Sequence, residues 1–501
     1  MNLYSHIYHA ANSAWQADAF RLPGGKVWTH EKLHDLASRI AAVLAGAGVK
    51  PGDRITVQVE KSIENVALYL ASLRLGAIYM PLNTSYTDSE LDFFLGDAEP
   101  RVLVCDPDRA ETLEPLQHRH GIQALFTLGG DGSGTLSDAL TNEKRFEPII
   151  DRSPDDVAVI LYTSGTTGRS KGAMITHANL YTNAVALRQT WGWSADDVLL
   201  HALPIYHIHG LFVALHCALL EPTPVIFLPR FEVQAVLDEL VHATVYMGVP
   251  THYVRLLTDE KLNAERCAGM RLFTSGSAPL LQETFEAFHH RTGHQILERY
   301  GMTEAGMIAS NPLDGERVAG TVGYPLPDIQ VRVYSSRGEP VKTGEVGVLE
   351  VRGPNIFTGY WRRPDKTREE FRDGWFITGD LVQQDHTGRI RIVGRQKDMI
   401  ISGGLNIYPR EIEAEMDELE GIVESAVIGV PHEDFGEGVL AVVVATNDWP
   451  GEEDTREKLR KRLAGFKIPK RIIRVERLPR NAMGKVQKKK LREYYMDVLT
   501  A

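Results

Sequence analysis

The 501-residue sequence predicts an α/β protein: a large N-terminal domain of layered α/β subdomains with a small β-rich section, followed by a C-terminal α+β domain. Three observations predict it. Short apolar runs alternate with helix-period segments through the first three hundred residues, which is the pattern of parallel strands joined by crossover helices. After about residue 325 the texture changes to short strands broken by Gly, Pro and Asp turns. Beyond a charged, glycine-containing stretch at 394–404, strands and helices alternate again over roughly a hundred residues, enough for a separate domain. The boundary falls at Lys397, giving domains 1–396 and 397–501.

In order along the chain, Glu31 to Leu44 carries apolar residues at helical spacing behind a candidate cap, Thr29, with Gly46 as the stop signal. Residues 55–59 read as a strand, Ile63 to Leu75 as a helix and 101–105 as a buried strand. Further strands are expected at 157–162, 198–203, 224–228, 244–249 and 271–276. In the β-rich section, 329–335, 347–353 and 389–395 alternate as short strands. The last domain offers strands at 423–430, 437–445 and 471–478 and a helix over 452–463.

Composition narrows the function. With 43% hydrophobic and 24% charged residues this is ordinary globular composition. A net charge of −11 gives no overall basic footprint for nucleic acid. Cys105, Cys217 and Cys267 lack metal spacing, and so sparse a set fits a reducing compartment. Neither a secretory signal nor 18 consecutive apolar residues occurs, so the expectation is a cytoplasmic protein without a membrane partner. Oligomeric state is not legible.

The strongest motif is Tyr162-Thr-Ser-Gly-Thr-Thr-Gly-Arg-Ser-Lys-Gly172, directly behind an apolar strand. Small hydroxyl and glycine residues there expose N–H and Oγ donors to an anion, and Lys171 adds charge. It is not a Walker A loop, since Gly172 follows the lysine where Ser or Thr belongs. GRSKG also matches a hydrolase elbow, but its serine is flanked by cations and no acid–histidine order accompanies it. Weaker alone are Tyr300-Gly-Met-Thr-Glu304, whose carboxylate suits Mg²⁺ beside a polyphosphate; Ser275-Gly-Ser-Ala-Pro279, an exit where a flat ring can lie; and Trp375-Phe-Ile-Thr-Gly-Asp380, ending an apolar run with a carboxylate able to hold ribose hydroxyls. Gly394-Arg395 stands at the candidate hinge, and Pro479-Arg-Asn-Ala-Met-Gly-Lys485 puts a lysine on a glycine turn.

In this order and spacing the six motifs resemble the acyl-CoA synthetase family of adenylate-forming enzymes, over residues 25 to 490. The resemblance implies a mobile C-terminal domain and ATP, Mg²⁺ and coenzyme A as cofactors and co-substrate. It makes Thr163, Ser164, Gly165, Thr166, Thr167, Gly168 and Lys171 the phosphate loop, and Gly276, Ser277, Ala278 and Pro279 the adenine-side segment. Glu298, Arg299, Tyr300, Gly301, Met302 and Thr303 then line the nucleotide, Tyr300 near adenine. Glu304 holds Mg²⁺, Asp380 the ribose, and Arg395 the nucleotide. Lys485 becomes the catalytic lysine of adenylation, supported by Thr163, Glu304 and His207, while Lys397 matches the hinge. Ser402, Gly403 and Gly404 approach the CoA arm after a domain swing. Basic groups between Arg456 and Arg471 could receive CoA's phosphates, although such runs are usually solvated helix faces.

The acid is less tightly bounded. His201-Ala-Leu-Pro-Ile-Tyr-His-Ile-His-Gly210 has three histidines without zinc spacing, and the resemblance puts His207 at the acyl pocket. Segments 203–212, 247–257, 272–280 and 298–307 resemble the malonyl-CoA synthetase subgroup, implying malonate or methylmalonate as substrate. A second carboxylate must stay ionised, so it needs a cation. Arg255 matches the subgroup's position, with Ser277, Ile208 and Met307 completing the pocket. Ile208 and the Ala305–Ile308 run depart from the subgroup's more polar pattern, which leaves a related short diacid open. A monocarboxylate synthetase and an enzyme loading a carrier protein are the alternatives.

Overall fold

Uninterrupted apolar runs such as Val102–Cys105 and Val245–Gly248 become strands buried on both faces, which is why they carry no polar alternation. The computed structural model describes residues 2–140, 144–163, 170–335, 337–402, 405–432, 435–481 and 484–500. Among them the chain forms four sheets. The largest has nine strands, in the order Tyr324–Pro325, Gly306–Ser310, Leu297–Met302, Leu272–Ser275, Val245–Gly248, Leu199–His201, Val225–Phe227, Asp18–Arg21 and Val27–Thr29. Leu297–Met302 through Asp18–Arg21 are parallel; the strands beyond them are antiparallel. The seven-stranded sheet runs Gly359–Tyr360, Lys171–Thr176, Val157–Thr163, Ile78–Pro81, Arg54–Gln58, Val102–Cys105 and Ala124–Thr127.

The helix Ile63–Arg74 is buried at every position but Glu64, as a helix apolar on all sides must be. Each of its Leu and Val side chains contributes roughly 1.5–3 kcal/mol by leaving water. Ser62 Oγ accepts from Asn65 N at 3.1 Å to cap it. Thr29 caps His30–Gly46 in the same way, accepting from Lys32 N. Gly46 is still helical, however, and the left-handed turn that ends this segment falls at Gly48 (φ 80°).

The β-rich section is one antiparallel sheet built on Gln330–Tyr334, Gly347–Arg352, Trp375–Gln384 and Ile390–Arg395. Asp380 therefore sits in mid-strand rather than at a strand end, opposite Arg395. The last sheet uses only strands from residue 400 onward: Ile400–Ser402, Leu405–Ile407, Ile422–His432, Gly436–Ala445 and Arg471–Val475. Its expected helix stops at Arg460, three residues early. Among the described residues no helix is long and apolar enough to cross a membrane, and all three cysteines are free and buried.

Candidate active site

The candidate residues gather beyond the carboxyl ends of strands that run parallel to a neighbour, among them Val157–Thr163 and Leu272–Ser275. Thr163 ends Val157–Thr163 and pairs with Lys171, which opens Lys171–Thr176. Ser164, Gly165, Thr166, Thr167 and Gly168 lie between them, outside the described residues. Thr163 Oγ1 donates to Glu304 Oε1 at 3.3 Å, and the Tyr360 hydroxyl donates to the same oxygen at 3.0 Å. Burial raises the pKa of this carboxyl. Its ionised form therefore wants a cation, yet Lys171 is turned elsewhere. Lys171 Nζ pairs with Glu370 Oε1 at 2.9 Å and lies 4.1 Å from the centre of the Tyr360 ring. Mg²⁺ fits the site: Glu304 supplies one hard oxygen donor. The described residues hold no group of three or more His, Cys, Asp or Glu side chains arranged for a metal. The remaining donors would be substrate oxygens.

Next to this group the Tyr300 hydroxyl donates to Asp380 Oδ2, while Arg395 Nε binds Asp380 Oδ1 at 2.7 Å. The Asp380 charge raises the pKa of Arg395 further, and burial raises that of Tyr300. Lys485 reaches the same neighbourhood from the C-terminal domain. Its turn is closed by Asn481 Oδ1 on the Lys485 N–H at 2.9 Å and by Gly484 at φ 74°. Desolvation by the cleft walls, helped by the nearby Arg395 guanidinium, pushes the Lys485 ammonium down to about 8. A Cβ on Gly484 would stand 3.3 Å from Thr251, so this turn rests on the start of the helix Pro250–Leu257. Arg492 ties the C-terminal helix Lys488–Tyr494 to Asp398 at 2.8 Å, one residue beyond Lys397, whose pKa burial lowers.

Ser402 pairs with Leu405 and Gly436 inside the C-terminal sheet. Gly403 and Gly404 are outside the described residues. Glu298 accepts the Gly320 N–H at 2.9 Å, and burial pushes its carboxyl up to about 7. Gly301 must be glycine, because a Cβ there would fall 2.2 Å from Gly306 O. Met302 pairs with Gly306, and Met307 N donates to Asn183 Oδ1 at 3.0 Å.

On the other side of the strand Leu297–Met302, Arg299 takes a course that its place in a nucleotide motif does not suggest. Successive side chains of a strand point to opposite faces, so Arg299 leaves Tyr300 and passes under Gly276, where a Cβ would lie 2.3 Å from its Nη1. It is 4% exposed, and its Nε and Nη2 have no hydrogen-bond partner among the described residues. Desolvation pushes it down to about 9. Its charge is felt by His209, whose Nδ1 lies 3.3 Å from Ser277 Oγ. Ser277 adopts φ 70°, a left-handed conformation next to Ala278 and the exposed Pro279.

Arg255 is placed differently. It is exposed on the helix Pro250–Leu257 and has no ion pair among the described residues. Its charge reaches His252. The cation expected to clamp a second carboxylate is therefore exposed, whereas Arg299 is buried. His207 is half-buried, and burial lowers its imidazole to about 4. With Thr303, Asn83, Tyr86 and Tyr206 it lines the larger of two small cavities. Ile208 and Gly306 line the smaller with Asn183, Phe212 and Asn355. Tyr360, Glu370, Asn183 and the cavity tyrosines were not visible as site residues in the sequence. Lys171 and Glu370 are 199 positions apart, and nothing local marks Glu370 as the partner.

Residues 8–361 match the family described as AMP-binding enzyme, and residues 411–485 match the AMP-binding enzyme C-terminal domain. A mitochondrial malonate–CoA ligase of Mus musculus is 36% identical over 509 residues, spanning 92% of this chain and 86% of that protein. A feruloyl-CoA synthase of Amycolatopsis sp is also 36% identical, over 477 residues, spanning 94% and 95%. The crystal structure of ATP-bound MatB from Rhodopseudomonas palustris is 50% identical, with a TM-score of 0.97 and 99% of each chain covered.

Proposed function

The chain belongs to the AMP-binding enzyme family and is an adenylate-forming CoA ligase, and on that premise we propose that its acid is malonate or methylmalonate. The observation that carries this choice is Arg299, a buried guanidinium whose Nε and Nη2 lack partners. Leaving such a cation unpaired costs several kcal/mol, a debt that a ligand carboxylate can cancel. A monocarboxylate brings no second charge to do so. The similarity to malonate–CoA ligases supports the same acid.

In this reading the spectator carboxylate meets Arg299 from below, with Ser277 beside it and Arg255 at the rim. Ile208 and Met307 bound the carbon chain, and His207 forms one wall. The other carboxylate attacks the α-phosphorus of ATP, giving the acyl-adenylate and pyrophosphate. Charge builds on the phosphoryl oxygens and the leaving group, where Lys485 stabilises it. Thr163, the 164–168 loop and Lys171 hold the polyphosphate, and Tyr300 and residues 276–279 flank adenine. Asp380 and Arg395 hold the ribose side. Glu304 would hold Mg²⁺, which supplies charge neutralisation on the polyphosphate. The CoA thiol then attacks the activated carbonyl and AMP departs, with Ser402 to Gly404 meeting the CoA arm after the C-terminal domain, 397–501, has swung.

The test is incubation with ATP, Mg²⁺, CoA and a panel of malonate, methylmalonate, succinate, acetate, butyrate and benzoate, with AMP and acyl-CoA read by mass spectrometry. Malonyl- or methylmalonyl-CoA with matching AMP is the expected result. Conversion of a monocarboxylate alone would discard the diacid. Pyrophosphate without any acyl-CoA would point to a different acceptor.

A further inference from the structure

We propose that Lys61 is a positioning residue for the acid pocket, reaching from one sheet to the other to hold the turn that carries His207, Ile208 and His209. It rests on the reading of that pocket given above. Lys61 follows the strand Arg54–Gln58 of the seven-stranded sheet, whereas its contacts belong to the nine-stranded sheet. Its Nζ donates to His201 O at 3.0 Å, lies 2.7 Å from His201 Nδ1 and sits 4.2 Å from the centre of the Phe227 ring. His201 and Phe227 end adjacent parallel strands and stack at 5.4 Å.

The hydrogen bonds fix the tautomer. His201 Nε2 is 2.9 Å from Gly210 O, and a carbonyl only accepts, so Nε2 carries the proton. Nδ1 is then an acceptor, and Lys61 must donate to it. A continuous chain results: Lys61 N–H to Nδ1, imidazole, Nε2–H to the Gly210 carbonyl. Gly210 closes a tight turn, since a Cβ there would fall 2.0 Å from Pro204 O. Between Pro204 and Gly210 stand His207, which lines the larger cavity, Ile208, which lines the smaller, and His209, which meets Ser277.

Lys61 is 9% exposed and has no carboxylate partner among the described residues. Burial lowers its pKa well below the ordinary lysine value. A buried amine without an acid to pair with is costly to keep for packing alone, and two of its N–H donors are spent on His201.

The experiment compares wild type, Lys61→Met, Lys61→Ala and His201→Phe, measuring KM for malonate and for ATP, kcat and Tm. Lys61→Met should raise the malonate KM by about tenfold or more while leaving the ATP KM within about twofold, because a small shift of a positioning turn is felt at the group it aims. Ethylamine added to Lys61→Ala should restore the malonate KM in part, a rescue that lost packing would not give. If Lys61→Met does not fold, His201→Phe keeps the stack on Phe227, breaks the same chain and should show the same split. A lower Tm with unchanged malonate KM, or equal changes in both KM values, would overturn the inference alone. Failure of wild type to form an adenylate with any acid would remove the pocket reading and this inference together.

Discussion

On the side proposed to take the nucleotide, Asp380 is gripped by Arg395 at 2.7 Å, Lys171 by Glu370 at 2.9 Å, and Glu304 receives two hydroxyl donors. On the side proposed to take the acid, Arg299 is buried with two nitrogens unpartnered among the described residues, His207 and His209 each keep an Nε2 likewise unpartnered, and Arg255 is exposed without an ion pair among them. The difference follows from what each ligand brings. ATP arrives with several charges and its own cation, so its site can be kept folded and neutral by internal pairs that the ligand joins or displaces. A small diacid brings a single extra charge. A site that paired its own cation internally would have nothing left to recognise that charge with.

The largest expected effect breaks the acid side. Arg299→Met removes the waiting cation, and malonate kcat/KM should fall roughly 10²- to 10³-fold, the cost of losing one partner of a buried charge pair. ATP binding should persist. The ligand-free variant should also melt at a higher temperature than wild type, because an uncompensated buried charge has gone. Arg255→Ala, at the solvent-exposed rim, should cost less. Malonate kinetics within threefold of wild type in Arg299→Met would sink the contrast between the two sides.

That contrast shows where the sequence is transparent. Buried parallel strands announce themselves as apolar runs, and Thr29 before its helix is a cap by residue type alone. The Thr163–Lys171 loop and the Tyr300–Glu304 segment are legible because their donors are contiguous. Arg299 was legible as a candidate site residue, but its burial beneath Gly276 was not. Inside a nucleotide motif it is separated from Tyr300 by a single step of strand alternation, which sends the two side chains to opposite faces. Arg255 was legible as a cation, but the helix leaves it exposed. Glu370 and His201 lie 199 and 140 residues from their partners, and only the folded sheets bring these pairs together.

A middle-sized effect sharpens the nucleotide side. In the proposed adenylation Lys485 acts as an ammonium, and its pKa is lowered to about 8. The charged form therefore dominates below that value and is lost as pH rises through it. The adenylation rate, read as pyrophosphate release before CoA is added, should fall about tenfold per pH unit above the midpoint. Lys485→Arg should move this limb upward, since a guanidinium stays charged over the range. A limb unmoved by that substitution would assign the titration to another group.

The smallest effect concerns the Lys171–Glu370 pair. Lys171 is nearly buried, Glu370 is about a third exposed, and the ion pair between them lies against Tyr360. If polyphosphate takes Lys171 from Glu370, Glu370→Gln should lower the ATP KM by roughly two- to fivefold, the range of a partly exposed charge pair. The malonate KM should not change. If the pair instead persists and aims Lys171 at the phosphates, the same substitution should raise the ATP KM. The Lys171→Met background separates these from an indirect effect through Glu304, which also feels the Glu370 charge. When the action runs through Lys171, Glu370→Gln loses its effect there and the double-mutant coupling is large. When it runs through Glu304, the effect survives the loss of the lysine and follows the Mg²⁺ concentration instead.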